Sequence, residues 1–241
     1  MQPTLASVDV VILCGGLGTR LQGVAPNCPK PLVQISERPF LDLLIEQFRR
    51  FGFRRFILCT GHRGEMIRDY FIHLRESVDI VISHETYPMG TAGAVKNAES
   101  LIQSDPFIVT NGDSLCSMDL AAFYDFHESK RARLSMVLAR SEDPEDYGSV
   151  HLNENGQISA FEEKQAYAKR GYISAGIYLF QKKVLDYIPA DVRSSLEFDI
   201  FPRLVTLKGD CYGYDSQRPV IDIGTPQRLK KARQHLTQTL A

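Results

Sequence analysis

Apolar residues follow two different spacings along the first part of the chain. Short runs of Val, Ile and Leu predict buried strands, and apolar residues three or four positions apart predict amphipathic helices. Strands are predicted at 10–14, 55–59, 78–83, 107–110 and 134–139, and helices at 39–48, 65–74, 92–102 and 120–129. This alternation indicates a mostly parallel sheet with helices on both faces.

The pattern changes after about residue 141, where strands become more frequent. The predicted elements are a hairpin at 148–152 and 158–161, strands at 171–180, 210–214 and 220–223, and helices at 183–188, 196–207 and 227–236. No linker separates the two parts. We therefore predict one α/β domain, 1–241, with a lobe at about 1–140 and a smaller β-rich lobe at about 141–241.

Composition excludes several classes of protein. The 241 residues are 44% hydrophobic and 24% charged, with a net charge of −1, so no basic field favours nucleic acid or a membrane surface. No signal peptide or transmembrane run is recognisable. The five cysteines are scattered and form no C-x-x-C pair, which is typical of reduced thiols and predicts a cytoplasmic protein.

The most informative segment follows the first strand. Gly15–Gly18 can bring the backbone close to a phosphate, and Arg20 and Lys30 add two cations. Lys30 stands between two prolines that stiffen its backbone. The spacing fits neither the Walker phosphate loop nor the G-x-G-x-x-G dinucleotide fingerprint, because Leu21 takes the place of the third glycine. The alternative is a glycine-rich turn with solvated cations.

Three carboxylates are predicted at strand ends. Asp113 follows the fourth strand and Asp222 lies in Val220–Gly224, and either can hold a divalent cation or serve as an ordinary turn or capping aspartate. Glu85 follows the third strand. A carboxylate only accepts hydrogen bonds, so it suits the N1–H and 2-amino groups of guanine and repels the carbonyls of thymine and uracil. The alternative for Glu85 is an exposed strand end.

The glycine segment carries a family resemblance. Gly16-Leu17-Gly18-Thr19-Arg20-Leu21 with Pro29-Lys30-Pro31-Leu32 resembles the signature of the sugar-1-phosphate nucleotidylyltransferases, and Phe161-Glu162-Glu163-Lys164 resembles that family's F-x-E-K segment. Gly23 and Ala25 depart from the signature in a way that resembles the shorter branch of heptose 1-phosphate guanylyltransferases. The resemblance implies a Rossmann-like mixed sheet of the nucleotide-diphospho-sugar transferase type.

The same resemblance implies the roles of individual residues. Arg20, Lys30 and Lys164 would be catalytic, and Asp113 and Asp222 would hold Mg²⁺. The first lobe would bind the nucleotide through Leu13, Gly15, Gly16, Gly18, Thr19, Arg20, Glu85, Gly90, Thr91 and Asp113. The second lobe would bind the sugar phosphate through Tyr147, Gly148, Glu163, Lys164, Ser174, Ala175 and Gly176. Glu197 and Asp199 lie in a family-like segment without an assigned role.

The implied reaction transfers GMP from GTP to a heptose 1-phosphate and releases pyrophosphate. The partners are then small molecules, a nucleoside triphosphate and a sugar 1-phosphate. The alternatives are a mannose-1-phosphate guanylyltransferase, a uridylyl- or thymidylyltransferase, and a non-catalytic subunit that binds nucleotide sugars. The sequence leaves the oligomeric state open, including a homo-oligomer.

Overall fold

A mixed nine-stranded sheet organises the structure, a computed structural model that describes residues 4–21, 23–72, 78–141, 148–162, 171–207 and 210–240. The strands are β1 (Asp9–Leu13), β2 (Gln34–Ile35), β3 (Arg38–Pro39), β4 (Arg55–Thr60), β5 (Asp79–His84), β6 (Phe107–Asn111), β7 (Ser114–Cys116), β8 (Leu134–Ser141), β9 (Ser149–Leu152), β10 (Ile158–Glu162), β11 (Gly171–Phe180), β12 (Cys211–Asp215) and β13 (Val220–Asp222). The helices are α1 (Phe40–Arg50), α2 (Gly64–Ile72), α3 (Gly90–Asn97), α4 (Leu120–Lys130), α5 (Phe201–Thr206) and α6 (Pro226–Leu240).

The large sheet follows the order β10-β9-β11-β6-β1-β4-β5, with β8 beside β11 and β12 beside β8. Strand β1 pairs in parallel with β4 and β6, and β4 pairs in parallel with β5. Strand β11 runs antiparallel to β6, β8 and β9, which joins the later strands to the parallel ones. The predicted mixed sheet with flanking helices is confirmed; the division into two lobes stays a prediction.

Two apolar layers cover the sheet because its central strands are buried on both faces. Val10 and Ile12 of β1 pack into one layer, and Val11 packs into the other with Ile57 of β4. This alternation is the expected consequence of side chains pointing to opposite faces of a strand. Strand β1 lies between β4 and β6, so the glycines after it lie where the parallel strands end.

A third apolar cluster lies under the glycine segment. Leu21 packs there with Leu115 of β7, Ile223 after β13 and Leu229 of α6. Strands β7 and β13 form a small antiparallel sheet, with Ser114 opposite Asp222. The three-residue β7 was not predicted, because so short a strand carries no periodicity. This cluster fixes the end of the chain against its beginning.

The predicted helix at 196–207 is two segments. Leu196–Ile200 form one π-helical turn, and α5 follows with Pro202 in its first turn. Proline has no amide hydrogen to donate, so it is tolerated where a helix begins and disfavoured in its interior. The side chain of Ser195 caps the first segment by accepting from the amides of Glu197 and Phe198. The predicted helix at 183–188 is a 3₁₀-helix over Lys182–Tyr187.

No helix within the described ranges is both long enough and apolar enough to cross a bilayer.

Candidate active site

The carboxyl ends of the parallel strands open into a cavity of about 700 Å³. All residues predicted to bind the nucleotide line it: Leu13, Gly15, Gly16, Gly18, Thr19, Arg20, Glu85, Gly90, Thr91 and Asp113. Ligands of open α/β sheets bind at this edge. The sequence pattern and the cavity therefore agree on where a ligand would lie.

The glycine segment needs glycine at its turn. Gly18 has φ of +59°, and a β-carbon there would contact the β-carbon of Lys30 at 3.6 Å. Glycine adopts this left-handed conformation without the steric cost that a β-carbon adds. Arg20 follows in a short 3₁₀ turn, Thr19–Leu21. The turn thus brings Arg20 and Lys30 to the same side of the cavity.

Lys30 forms an ion pair with Asp113. Its Nζ atom contacts Oδ2 of Asp113, and the two side chains are 13% and 33% exposed. Lys30 starts a 3₁₀ turn, and its two neighbours in the chain, Pro29 and Pro31, are both buried. This packing holds the ammonium group beside the carboxylate at the end of β6.

Asp222 lies beside Asp113 through strand pairing. The amide of Ile223 donates to the carbonyl oxygen of Asp113 at 3.0 Å. Asp222 is 8% exposed, and its Oδ1 accepts from the amide of Gly224 at 2.7 Å and from Arg228 Nη1 at 3.3 Å. A β-carbon on Gly224 would lie 3.5 Å from Lys30 Nζ and 3.6 Å from Arg20 Nη2. Both aspartates and the cations therefore converge.

Two neighbouring carboxylates are a suitable donor set for Mg²⁺. The ion usually takes one or two protein carboxylates and completes its shell with water and substrate phosphate oxygens. Within the described ranges no group of three His, Cys, Asp or Glu side chains could hold a metal by itself. Asp113 and Asp222 thus fit an ion that arrives with a phosphate ligand, and they do not fit a closed metal cage.

Glu85 is half-buried against glycines. Its Oε2 accepts from the amide of Met89 at 3.2 Å. A β-carbon added at Gly15 would lie only 2.8 Å from Oε1 of Glu85, and one added at Gly61 would lie only 2.4 Å from it. Burial raises the pKa of Glu85, while the Met89 amide and the nearby His84 act in the opposite direction. No role was predicted for Gly61, because its contact with Glu85 forms only when β4 and β5 pair.

A second cavity of about 220 Å³ adjoins the first. Arg20, Thr91, Asn111, Asp113 and Gly224 line both cavities. Asp113 therefore stands at the junction of the cavities, and Asp222 lines the second cavity beside it.

Three of the residues predicted to bind the sugar phosphate line the second cavity: Gly148, Ser174 and Gly176. Gly176 has φ of +75°, and a β-carbon there would lie 2.8 Å from Asn111 Nδ2. Ala175 lines neither cavity, because it is 1% exposed and its side chain packs in the core on the other face of β11. Tyr147, Glu163 and Lys164 lie outside the described residues.

Glu197 reaches the second cavity from the π-helical turn. Its Oε2 accepts from Thr91 Oγ1 at 2.6 Å and from Ser195 Oγ at 2.7 Å. Thr91 in turn accepts from the amide of Leu196 at 2.8 Å, so α3 and the turn hold each other. Arg228 also lines the second cavity, and Arg193 lines the first. None of these three was assigned a role from the sequence.

Comparison with known proteins agrees with this geometry. Residues 9–239 match the model of the nucleotidyl transferase family. The chain is 33% identical to a D-glycero-alpha-D-manno-heptose 1-phosphate guanylyltransferase of Aneurinibacillus thermoaerophilus, covering 95% of this chain and 98% of that one. It is 34% identical to a mannose-1-phosphate guanylyltransferase of Mycobacterium tuberculosis, covering 97% of this chain but only 66% of that protein.

A solved structure shares the fold over nearly the whole length. The crystal structure of HddC from Yersinia pseudotuberculosis, complexed with GMP-PN, superposes with a TM-score of 0.83 at 33% identity. The match covers 95% of this chain and 99% of that one. The predicted resemblance is confirmed: the chain belongs to the nucleotidyl transferase family.

Proposed function

We propose that the protein transfers GMP from GTP to a sugar 1-phosphate, with D-glycero-α-D-manno-heptose 1-phosphate as the preferred acceptor. The observation that carries the proposal is the pair of joined cavities, with Asp113 at their junction and Asp222 beside it in the smaller one. A nucleotide in the larger cavity and a sugar phosphate in the smaller one would meet beside both carboxylates.

The chemistry is an in-line displacement at phosphorus. An oxygen of the sugar phosphate forms a bond to the α-phosphorus of GTP, and the bond from that phosphorus to the β-phosphate oxygen breaks. The electron pair leaves with pyrophosphate, and the nucleophile is already an anion, so no base has to remove a proton. Catalysis consists of positioning the two phosphates and neutralising their charge.

The described residues supply much of that charge. Arg20 would hold the triphosphate tail and the leaving pyrophosphate, because it lines both cavities. Lys30 would move from Asp113 to the α-phosphate. Asp113 and Asp222 would hold Mg²⁺, which when bound offsets the charge of phosphate oxygens. Lys164, outside the described residues, would bind the acceptor phosphate.

Glu85 supports guanine as the base. Its Oε2 already accepts from Met89, and its Oε1 lies against Gly15 and Gly61 in the nucleotide cavity. A carboxylate held there can accept from N1–H and the 2-amino group of guanine. It would leave the carbonyls of uracil and thymine facing a negative charge, at a cost of about 1–3 kcal/mol.

Two relatives support the heptose acceptor: both are named D-glycero-alpha-D-manno-heptose 1-phosphate guanylyltransferase, and they are 33% and 32% identical to this chain. Glu197 adds an acceptor for sugar hydroxyls in the smaller cavity.

The five cysteines are all free, which supports a reducing, cytoplasmic setting.

A matched panel tests the proposal. GTP, ATP, UTP and dTTP are each combined with heptose 1-phosphate and with mannose 1-phosphate in the presence of Mg²⁺, and pyrophosphate release is measured. We expect the highest kcat/KM for GTP with the heptose. Higher kcat/KM with mannose 1-phosphate would favour the second candidate, and binding of GTP without pyrophosphate release would favour a non-catalytic subunit.

A further inference from the structure

Arg228 stands in the first turn of α6, where a cation is electrostatically unfavourable. Its amide lies 3.3 Å from Thr225 Oγ1, and the amide of Leu229 donates to the carbonyl oxygen of Thr225 at 2.8 Å. The amides at a helix N-terminus carry partial positive charge, so acidic residues are favoured there. The position of Arg228 is therefore not explained by stability of the helix.

The guanidinium of Arg228 turns into the protein instead of into solvent. Its side chain is only 20% exposed, and Nη1 lies 3.3 Å from Asp222 Oδ1. The same oxygen also accepts the shorter hydrogen bond from the amide of Gly224. Asp222 therefore has a partner in the backbone in addition to Arg228.

Arg228 belongs to the smaller cavity only. It lines that cavity with Gly148, Ser174, Gly176 and Glu197, and it does not line the nucleotide cavity. Arg20, by contrast, lines both cavities. Arg228 therefore lies beside the acceptor side of the site, next to Asp222.

We propose that Arg228 binds the phosphate of the sugar 1-phosphate. The inference rests on the proposed function, in which that phosphate must approach the triphosphate against charge repulsion. A guanidinium can grip a phosphate through two parallel N–H bonds. The acceptor phosphate must lie near the junction of the two cavities. Arg228, beside Asp222, lies on the acceptor side of that junction.

The competing role is purely supportive: Arg228 would orient Asp222 and touch no substrate. The two roles differ in what they change. Loss of a phosphate contact weakens binding of the sugar 1-phosphate, whereas loss of an orienting contact lowers kcat and leaves that binding unchanged.

Binding measurements without nucleotide separate these roles and need no turnover. Mannose 1-phosphate and heptose 1-phosphate are each titrated by calorimetry into the unmodified protein, R228A, R228Q and R228K. The matched control is K230A, because Lys230 is exposed on the same helix and carries the same charge. We expect R228A and R228Q to weaken binding by about 10- to 100-fold, the loss typical of a charge-assisted hydrogen bond.

R228K should bind the sugar 1-phosphates with intermediate affinity, since lysine keeps the positive charge but cannot donate two parallel hydrogen bonds to the phosphate. K230A should stay within about twofold of the unmodified protein, since an exposed charge contributes little. In steady-state assays we expect R228A to raise KM for the sugar 1-phosphate and to leave KM for GTP nearly unchanged. If R228A does not fold, R228Q and R228K decide.

Each outcome bears on the inference. Equal binding by R228A and the unmodified protein would overturn it, as would a fall in kcat alone or an unmodified protein that binds neither sugar phosphate. Arg228-dependent binding without pyrophosphate release from any nucleotide would support it while the proposed function fails. Pyrophosphate release with binding independent of Arg228 would keep the function and reject the inference.

Discussion

The amide nitrogen of Ile223 lies 3.0 Å from the carbonyl oxygen of Asp113. This single backbone hydrogen bond continues the β7–β13 ladder by one residue and places Asp222 next to Asp113. The two aspartates come from distant parts of the chain, yet strand pairing and not a flexible loop brings their backbones together. A site built this way holds its charged groups before any substrate arrives.

Replacing Asp222 tests the charge at this junction. Asp222→Asn keeps an oxygen for the amide of Gly224 and removes the negative charge, so we expect an intact fold with kcat reduced by about two to three orders of magnitude. Pyrophosphate release and thermal melting are measured together. Asp69→Asn is the control, since Asp69 is 68% exposed on α2. Full activity in Asp222→Asn would exclude the proposed metal site.

Replacing Glu85 tests base selection. Glu85→Gln presents an amide nitrogen where guanine offers only donors, so kcat/KM for GTP should fall by about 10- to 100-fold. The amide also suits uracil and thymine, so use of UTP and dTTP relative to GTP should increase. Competition assays with mixed nucleotides measure the ratio. An unchanged ratio would show that Glu85 does not contact the base.

Acid should weaken GTP binding through the same residue. Burial raises the pKa of Glu85, so its protonated form is populated at a higher pH than for an exposed glutamate. Protonation removes the acceptor for guanine, and the affinity for GTP should therefore fall as pH is lowered towards that raised pKa. The Kd for GTP is measured across the acidic range. Glu85→Gln should lack this component, and an identical slope in both proteins would contradict the assignment.

Gly61 should matter only through Glu85. A β-carbon at residue 61 would lie 2.4 Å from Glu85 Oε1 and 2.9 Å from its Cγ, so Gly61→Ala must displace the whole Glu85 side chain. We therefore expect a raised KM for GTP. Gly23→Ala is the control, since no atom lies within 4 Å of its β-carbon position. Equal KM values in both variants would contradict this.

His127 should make the fold sensitive to acid. It is buried on α4 with Nδ1 2.9 Å from Ser135 Oγ, and burial lowers its pKa from 6.5 to about 4. Between these values the unfolded chain takes up a proton that the folded protein does not. The free energy of unfolding should therefore fall as pH drops through this window, by up to about 3 kcal/mol in total.

Urea denaturation at several pH values measures that fall. In His127→Asn the amide can still reach Ser135, but no group at this position titrates, so the curve should be flatter. A curve as steep as that of the unmodified protein would assign the acid sensitivity to other groups.

Local patterns were sufficient for the parallel half of the fold. The apolar run of β1 and the glycines after it predict both the strand and its ligand-binding end. Glu85 and Asp113 also follow strands, so the rule that carboxyl ends share one edge places them together. The predicted helix at 196–207 is helical over Leu196–Thr206, but its first five residues form a π-helical turn before α5 begins.

The sequence alone predicted a strand–glycine–cation motif and a mostly parallel α/β sheet, because each depends on neighbouring residues or on a simple periodicity. The tertiary structure determined contacts that the spacing of residues along the chain does not predict. Gly61 approaches Glu85 through parallel pairing, and Arg228 reaches Asp222 because α6 packs beneath the glycine segment. Such contacts depend on where whole elements pack, and a linear pattern does not encode a distance between them.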